Sequence, residues 1–152
     1  GAKPATPETA ASVPETVMWA RANAELARAQ QPQVDGPGAA AALAAALRDA
    51  PQTPALLLAD AELRGATGDA AGAAECVRAV LAMAEVPSPA WFEAKAIQIE
   101  ALAQVNPAQA RAALAQVRQL GGGYGSGPVA ARLVALEARL SGAAPSAREG
   151  VR

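Results

Sequence analysis

The strongest constraint on how this chain folds is a stop-and-restart signal repeated along an alanine-rich sequence. Val34-Asp35-Gly36, Gly68-Asp69-Ala70 and Val105-Asn106-Pro107 each stand before an apolar, alanine-rich segment. Asp35 and Asp69 are 34 residues apart, and Asp69 and Asn106 are 37 apart. That is the period of stacked helix pairs. An Asp or Asn in such a place accepts hydrogen bonds from the free N–H groups of a first helical turn, so each marks a helix start rather than a repeated acidic ligand.

Proline, glycine and capping residues divide the rest of the chain the same way. The sequence predicts a helix from Pro14-Glu15-Thr16 to about Gln30, stopped at Gln31-Pro32. A second runs from Pro37 to Asp49 with Leu43 and Leu47 one turn apart, and Ala50-Pro51 ends it. Thr53 caps a third at Pro54, whose Leu56, Leu57, Leu58, Ala61 and Leu63 form the densest apolar patch before Gly65 to Gly68. The fourth follows Asp69 and carries Ala73, Val77, Val80 and Leu81. Ser88-Pro89 opens a fifth with Phe92, Ala96, Ile99 and Ala103 on one face, and Asn106-Pro107 a sixth ending at Leu120. After the glycine-rich stretch 121–127, Pro128 opens a seventh with Val129, Leu133, Leu136 and Leu140 at helical spacing. No segment alternates as a strand would. Residues 1–13, with Pro4 and Pro7 among Thr and Ser, read as a flexible linker; 14–142 as the helical domain; 143–152 as a frayed polar tail.

Alanine makes up about 30% of the chain and is the best helix former. With 52% apolar but only 3% aromatic residues, the core has to accumulate from many shallow contacts between closely approaching helices. Thirteen basic and fourteen acidic residues leave a net charge of −1, scattered along the helices. Nucleic-acid binding needs a concentrated positive stripe, and none is present. No run of eighteen apolar residues is available for a membrane span. The segment Ala2-Lys3-Pro4-Ala5-Thr6-Pro7-Glu8 resembles the spacer that follows a removed leader or precedes a domain, which favours export over the cytoplasm while leaving both open.

The chain has no histidine and one cysteine, so no metal-ligand set, no nucleophilic triad with its usual base and no cofactor site can be assembled from it. Cys76 sits among Ala73, Ala74, Val77 and Val80 and reads as a small buried apolar residue. The glycines at 121–127 lack the following lysine and hydroxyl of a phosphate loop, so they read as a connection. Asp60 and Glu62, two residues apart, point to different sides of one helix and read as solvated charges. Trp19 and Trp91 read as core residues, with an exposed aromatic anchor as the alternative.

Pro54 to Pro87 spans 34 residues, with Gly68-Asp69 at the turn, Ala61 and Ala73 at small positions and Val77, Val80 and Leu81 at packing positions. This resembles a tetratricopeptide repeat. A slide of 34 places Asp35 on Asp69, Ala27 on Ala61, Ala39 on Ala73, Leu43 on Val77 and Leu47 on Leu81. A slide of 37 the other way brings Asn106, Ala110, Leu114 and Val117 into equivalent places. The resemblance covers about residues 15–120; Asp60 stands where the repeat usually has leucine and Arg64 where tyrosine is common, which makes the repeats degenerate. It implies an all-α fold of about seven helices, paired as antiparallel hairpins and stacked as a short right-handed solenoid, with the last helix as a cap.

The same resemblance implies a concave face lined by the first helix of each pair. Arg21, Arg28, Glu62, Lys95 and Gln98 are the polar side chains expected there. The expected function is non-catalytic: a protein-interaction module that takes a peptide or helix of another protein on that face. The alternatives are a structural role, as the capping part of a longer solenoid or a self-associating homo-oligomeric scaffold, and more remotely a small apolar ligand held between helices.

Overall fold

The computed structural model of the chain describes residues 12–151, and side chains for residues 12–142. The expected linker falls outside the described residues up to position 11, as do the side chains of the expected tail at 143–152. Among the described residues there are seven α-helices and no strand: α1 Val13–Arg28, α2 Gly36–Asp49, α3 Pro54–Ala66, α4 Ala70–Met83, α5 Pro89–Val105, α6 Pro107–Gly121 and α7 Gly127–Val151.

Capping side chains set most of the starts. The Ser12 hydroxyl accepts the Glu15 N–H at 3.2 Å while the Glu15 carboxylate accepts the Ser12 N–H at 3.1 Å, a reciprocal pair that satisfies two free donors of α1. Asp35 accepts the Gly38 N–H at 3.1 Å, Asp69 the Gly72 N–H at 2.9 Å, Ser88 the Trp91 N–H at 3.2 Å and Asn106 the Gln109 N–H at 3.1 Å. The three echoed residues are therefore helix caps. Thr53 is a correction: it makes no side-chain cap to α3, and its hydroxyl instead donates to the Ala50 carbonyl at 3.0 Å. A carbonyl left open at the end of α2 competes for that hydroxyl, and Pro54 removes one N–H that would otherwise want a cap.

The described residues part into two compact units between Ala79 and Val80. In the first, α1 packs against both α2 and α3, and α2 also touches α3. Its core joins Ala20, Ala24, Ala39, Leu43, Leu56, Ala59 and Leu63, with Trp19 and Leu47 at its margin. Ala20, Ala24, Ala39 and Ala59 are wholly buried, so the helices meet through methyl groups. Leu56 to Leu63 of α3 are buried without a break, which makes α3 the most enclosed helix of this unit. In the second unit α5 packs against α6, and α7 lies against both. Its core carries the larger side chains: Trp91, Phe92, Ile99, Leu114, Val117, Tyr124, Leu133, Leu136 and Leu140.

Candidate functional site

Three of the five polar residues expected on the first helices come together in the first unit. Glu62, on the enclosed helix α3, is 4% exposed. Its Oε1 accepts from Arg28 Nη2 at 2.6 Å, and its Oε2 lies 3.9 Å from Arg21 Nη1. The arginine side chains on α1 keep 37% (Arg21) and 41% (Arg28) of their exposure. The reading of Glu62 as a solvated charge is thus corrected. A carboxylate on a helix buried on all sides must find cations, and α1 supplies two from one face, seven residues or two turns apart. Lys95 and Gln98 lie on α5 in the other unit, where the Lys95 ammonium donates to Gln98 Oε1 at 3.4 Å. Lys95 is half-buried and Gln98 exposed.

Asp60 is corrected in the same way. It is buried, and its two oxygens are shared between Arg64 Nε at 3.1 Å and the Cys76 thiol at 3.4 Å. Arg64 reaches on to Asp69 at 2.6 Å, so Asp60 and Arg64, the two departures from the repeat pattern, are the middle of one chain that runs from Cys76 to Asp60 to Arg64 to Asp69. Both carboxylates raise the Arg64 pKa, Asp69 most. Asp69 is held below the usual aspartate value, first by the Gly72 N–H and then by Arg64. Burial, with the negative Asp60 beside it, pushes the Cys76 thiol up to about 12. Such a thiol stays protonated at neutral pH and is a poor nucleophile.

Asn23 and Trp19 carry a second cluster that residue counting did not single out. Asn23 is wholly buried; its Oδ1 accepts the Val34 N–H at 2.7 Å, and its Nδ2 donates to the Val34 carbonyl at 3.0 Å and the Trp19 carbonyl at 3.1 Å. Trp19 Nε1 donates to the same Val34 carbonyl at 2.9 Å. The half-buried Trp19 is therefore part core and part loop anchor, whereas Trp91 is a core residue at 3% exposure. The one signal that could have found Asn23 is a helix-breaking amide in the middle of a predicted alanine-rich helix.

Cross-helix ion pairs recur in the second unit. Arg132 on α7 binds Glu100 on α5 through two bonds of 2.7 Å each. Arg118 on α6 and Tyr124 both donate to Glu137 Oε2, at 2.9 and 3.0 Å. Among the described residues no three His, Cys, Asp or Glu side chains are grouped to hold a metal ion, and no helix is long and apolar enough to cross a membrane. The chain matches no protein-family model, no curated protein and no solved structure.

Proposed function

We propose that this chain is a non-catalytic protein-interaction module of the degenerate tetratricopeptide-like kind, its hairpins stacked as a short right-handed solenoid that takes a peptide or helix of another protein. The observation that carries the reading is the arginine pair on α1. Arg21 and Arg28 remain about two-fifths exposed while a buried Glu62 on α3 orients them. Arginines already held in one arrangement lose less side-chain freedom when a partner carboxylate or carbonyl arrives. Glu62 therefore acts as the residue that positions the pair, and Arg21 and Arg28 as the ones that meet the partner.

The test is comparative. A partner recovered from the native host by the unaltered protein should lose at least about tenfold in retention when both Arg21→Ala and Arg28→Ala are introduced. The reading fails if no retained protein distinguishes the two forms while both remain equally helical.

One observation favours a second reading, a structural or self-associating role. The Arg28–Glu62 pair closes on itself at 2.6 Å, as a contact between helices of a scaffold would. Sedimentation that shows concentration-dependent dimers, unaffected by the arginine substitutions, would support that role instead.

A further inference from the structure

Three of the four aromatic side chains of the chain, Trp91, Phe92 and Tyr124, meet in the core of the second unit. The Trp91 and Phe92 rings lie edge to face with centroids 5.1 Å apart. Against them lies the glycine-rich stretch that begins at Gly121, the last residue of α6, and runs on into the connection to α7. Its backbone approaches so closely that a Cβ on Gly121 would sit 2.6 Å from Phe92 Cζ, and one on Gly125 3.0 Å from the same ring. Gly122, Gly123, Gly125 and Gly127 all have positive φ, which glycine adopts without a steric penalty.

A stretch with this many glycines loses more backbone freedom on closing than any other segment of its length, so something has to hold it down. Its first end is tied by the Gly122 and Gly123 N–H groups, both donated to the Arg118 carbonyl. Beyond Gly123 a side chain adds to the hold. Tyr124 buries its ring in the core, and its hydroxyl donates to Glu137 Oε2 at 3.0 Å, an oxygen that Arg118 also reaches at 2.9 Å. The Arg118 guanidinium carbon stands 6.0 Å from the centre of the Tyr124 ring, closing the triangle.

We infer that residues 122–126, between α6 and α7, are a strap over the Trp91–Phe92 pair, latched by Tyr124 on Glu137, which opens as a local unit while α5, α6 and α7 stay folded. Opening releases a single aromatic anchor and regains the backbone freedom of the glycines. The helices keep their own contacts through Ile99, Leu114, Val117, Leu133, Leu136 and Leu140. Local openings of this kind cost less than global unfolding, because only the contacts of the segment are given up. The open form presents the Trp91 and Phe92 rings, an apolar surface that the closed form hides. Surface charge screening bears on the latch directly: Arg118 is 56% exposed and Glu137 35%, so salt weakens this corner of the triangle.

Chymotrypsin cleavage after residue 124 reads the opening, since the ring at 124 must leave the core to enter the protease. Tyr124→Phe keeps the ring and the cleavage site but removes the hydroxyl. Glu137→Ala removes the acceptor and leaves Tyr124 itself unaltered in the connection. Each should raise the rate of cleavage after 124 about tenfold, the effect of one lost hydrogen bond to a charged group. Cleavage after Phe92, inside α5, should stay at the native rate. An unchanged rate at 124, or a rise that Phe92 follows in step, means that the segment opens only with the whole unit and overturns the inference.

Discussion

Arg28 Nη2 and Glu62 Oε1 stand 2.6 Å apart across α1 and α3, and the two residues are separated by 34 positions in the chain. That separation equals the distance between the caps Asp35 and Asp69. Two residues 34 positions apart thus face each other with opposite charge across α1 and α3. Removing Arg28 alone leaves Arg21 near the carboxylate, so Arg28→Ala should cost about 1 kcal/mol, discounted for the exposure of the arginine. Removing both cations seen at a buried carboxylate is different in kind, and R21A/R28A should cost about 3 kcal/mol. Urea titrations of the three proteins check the inequality; equal losses in the single and double variants would show that Glu62 does not depend on the pair.

Asn23 should be the most sensitive single position of the first unit. Asn23→Ala deletes two hydrogen bonds that tie α1 to Val34 and a third to the Trp19 carbonyl within α1, and leaves the Val34 N–H without the acceptor it has at 2.7 Å. A loss of about 2–3 kcal/mol follows from three lost hydrogen bonds of a wholly buried amide. Thermal denaturation measures it, with Asn23→Asp as the companion: that variant keeps the acceptor for Val34 N–H but sets a charge against two carbonyls, and should not recover native stability.

Acid should loosen the start of α4. Asp69 is held below its ordinary value of 3.8 by the Gly72 N–H and by Arg64. A carboxylate depressed in the folded state stabilises it above the unfolded pKa, and that contribution disappears as the pH falls through the lower folded value. Asp69→Asn still caps the helix but cannot titrate. Followed by circular dichroism in urea, the variant should therefore change less below pH 4 than the native protein, and at pH 7 it should be the less stable of the two, because it lacks the ionised carboxylate that Arg64 favours.

Alkali should act through Cys76 and Tyr124, both raised to about 12 from ordinary values of 9.0 and 10.0, mainly by burial. A group that stays protonated in the fold but ionises in the unfolded chain contributes stability that is complete below its unfolded pKa and is lost as the pH rises towards its folded one. Stability should thus decline from about pH 9 upwards, and Cys76→Ala should remove the earliest part of the decline. At pH 8 a thiol reagent should modify the native Cys76 at least about a hundredfold more slowly than the urea-unfolded chain, because both the thiolate and access to it are scarce. Comparable rates in the two states would contradict the burial of the thiol.

The order and type of the seven helices were legible in the sequence, because their starts depend on neighbours in the chain. An Asp or Asn three residues before a free N–H caps it whatever surrounds the helix, as Asp35, Asp69 and Asn106 do. The glycines beneath two of these caps belong to the same local logic: a Cβ on Gly38 would collide with the Asp35 carboxylate, and one on Gly72 with that of Asp69. The burial of Leu43, Leu56, Ile99, Leu114 and Leu133 was legible too, since helical spacing lines up an apolar stripe before any partner is known.

What only the tertiary structure decided is the fate of the charges. Two residues apart on one helix, Asp60 and Glu62 look alike in the sequence, yet one ends beside Cys76 and Arg64 and the other beneath Arg21 and Arg28. Their setting depends on which helices lie on each side of α3, a non-local fact that no spacing within α3 encodes. The same holds for Thr53, drawn back to the end of α2 in place of capping α3, and for Tyr124, whose hydroxyl finds Glu137 on a later helix. Local backbone chemistry determined where the helices begin; the packing of those helices, which sets who is buried and who is paired, determined what each polar side chain is for.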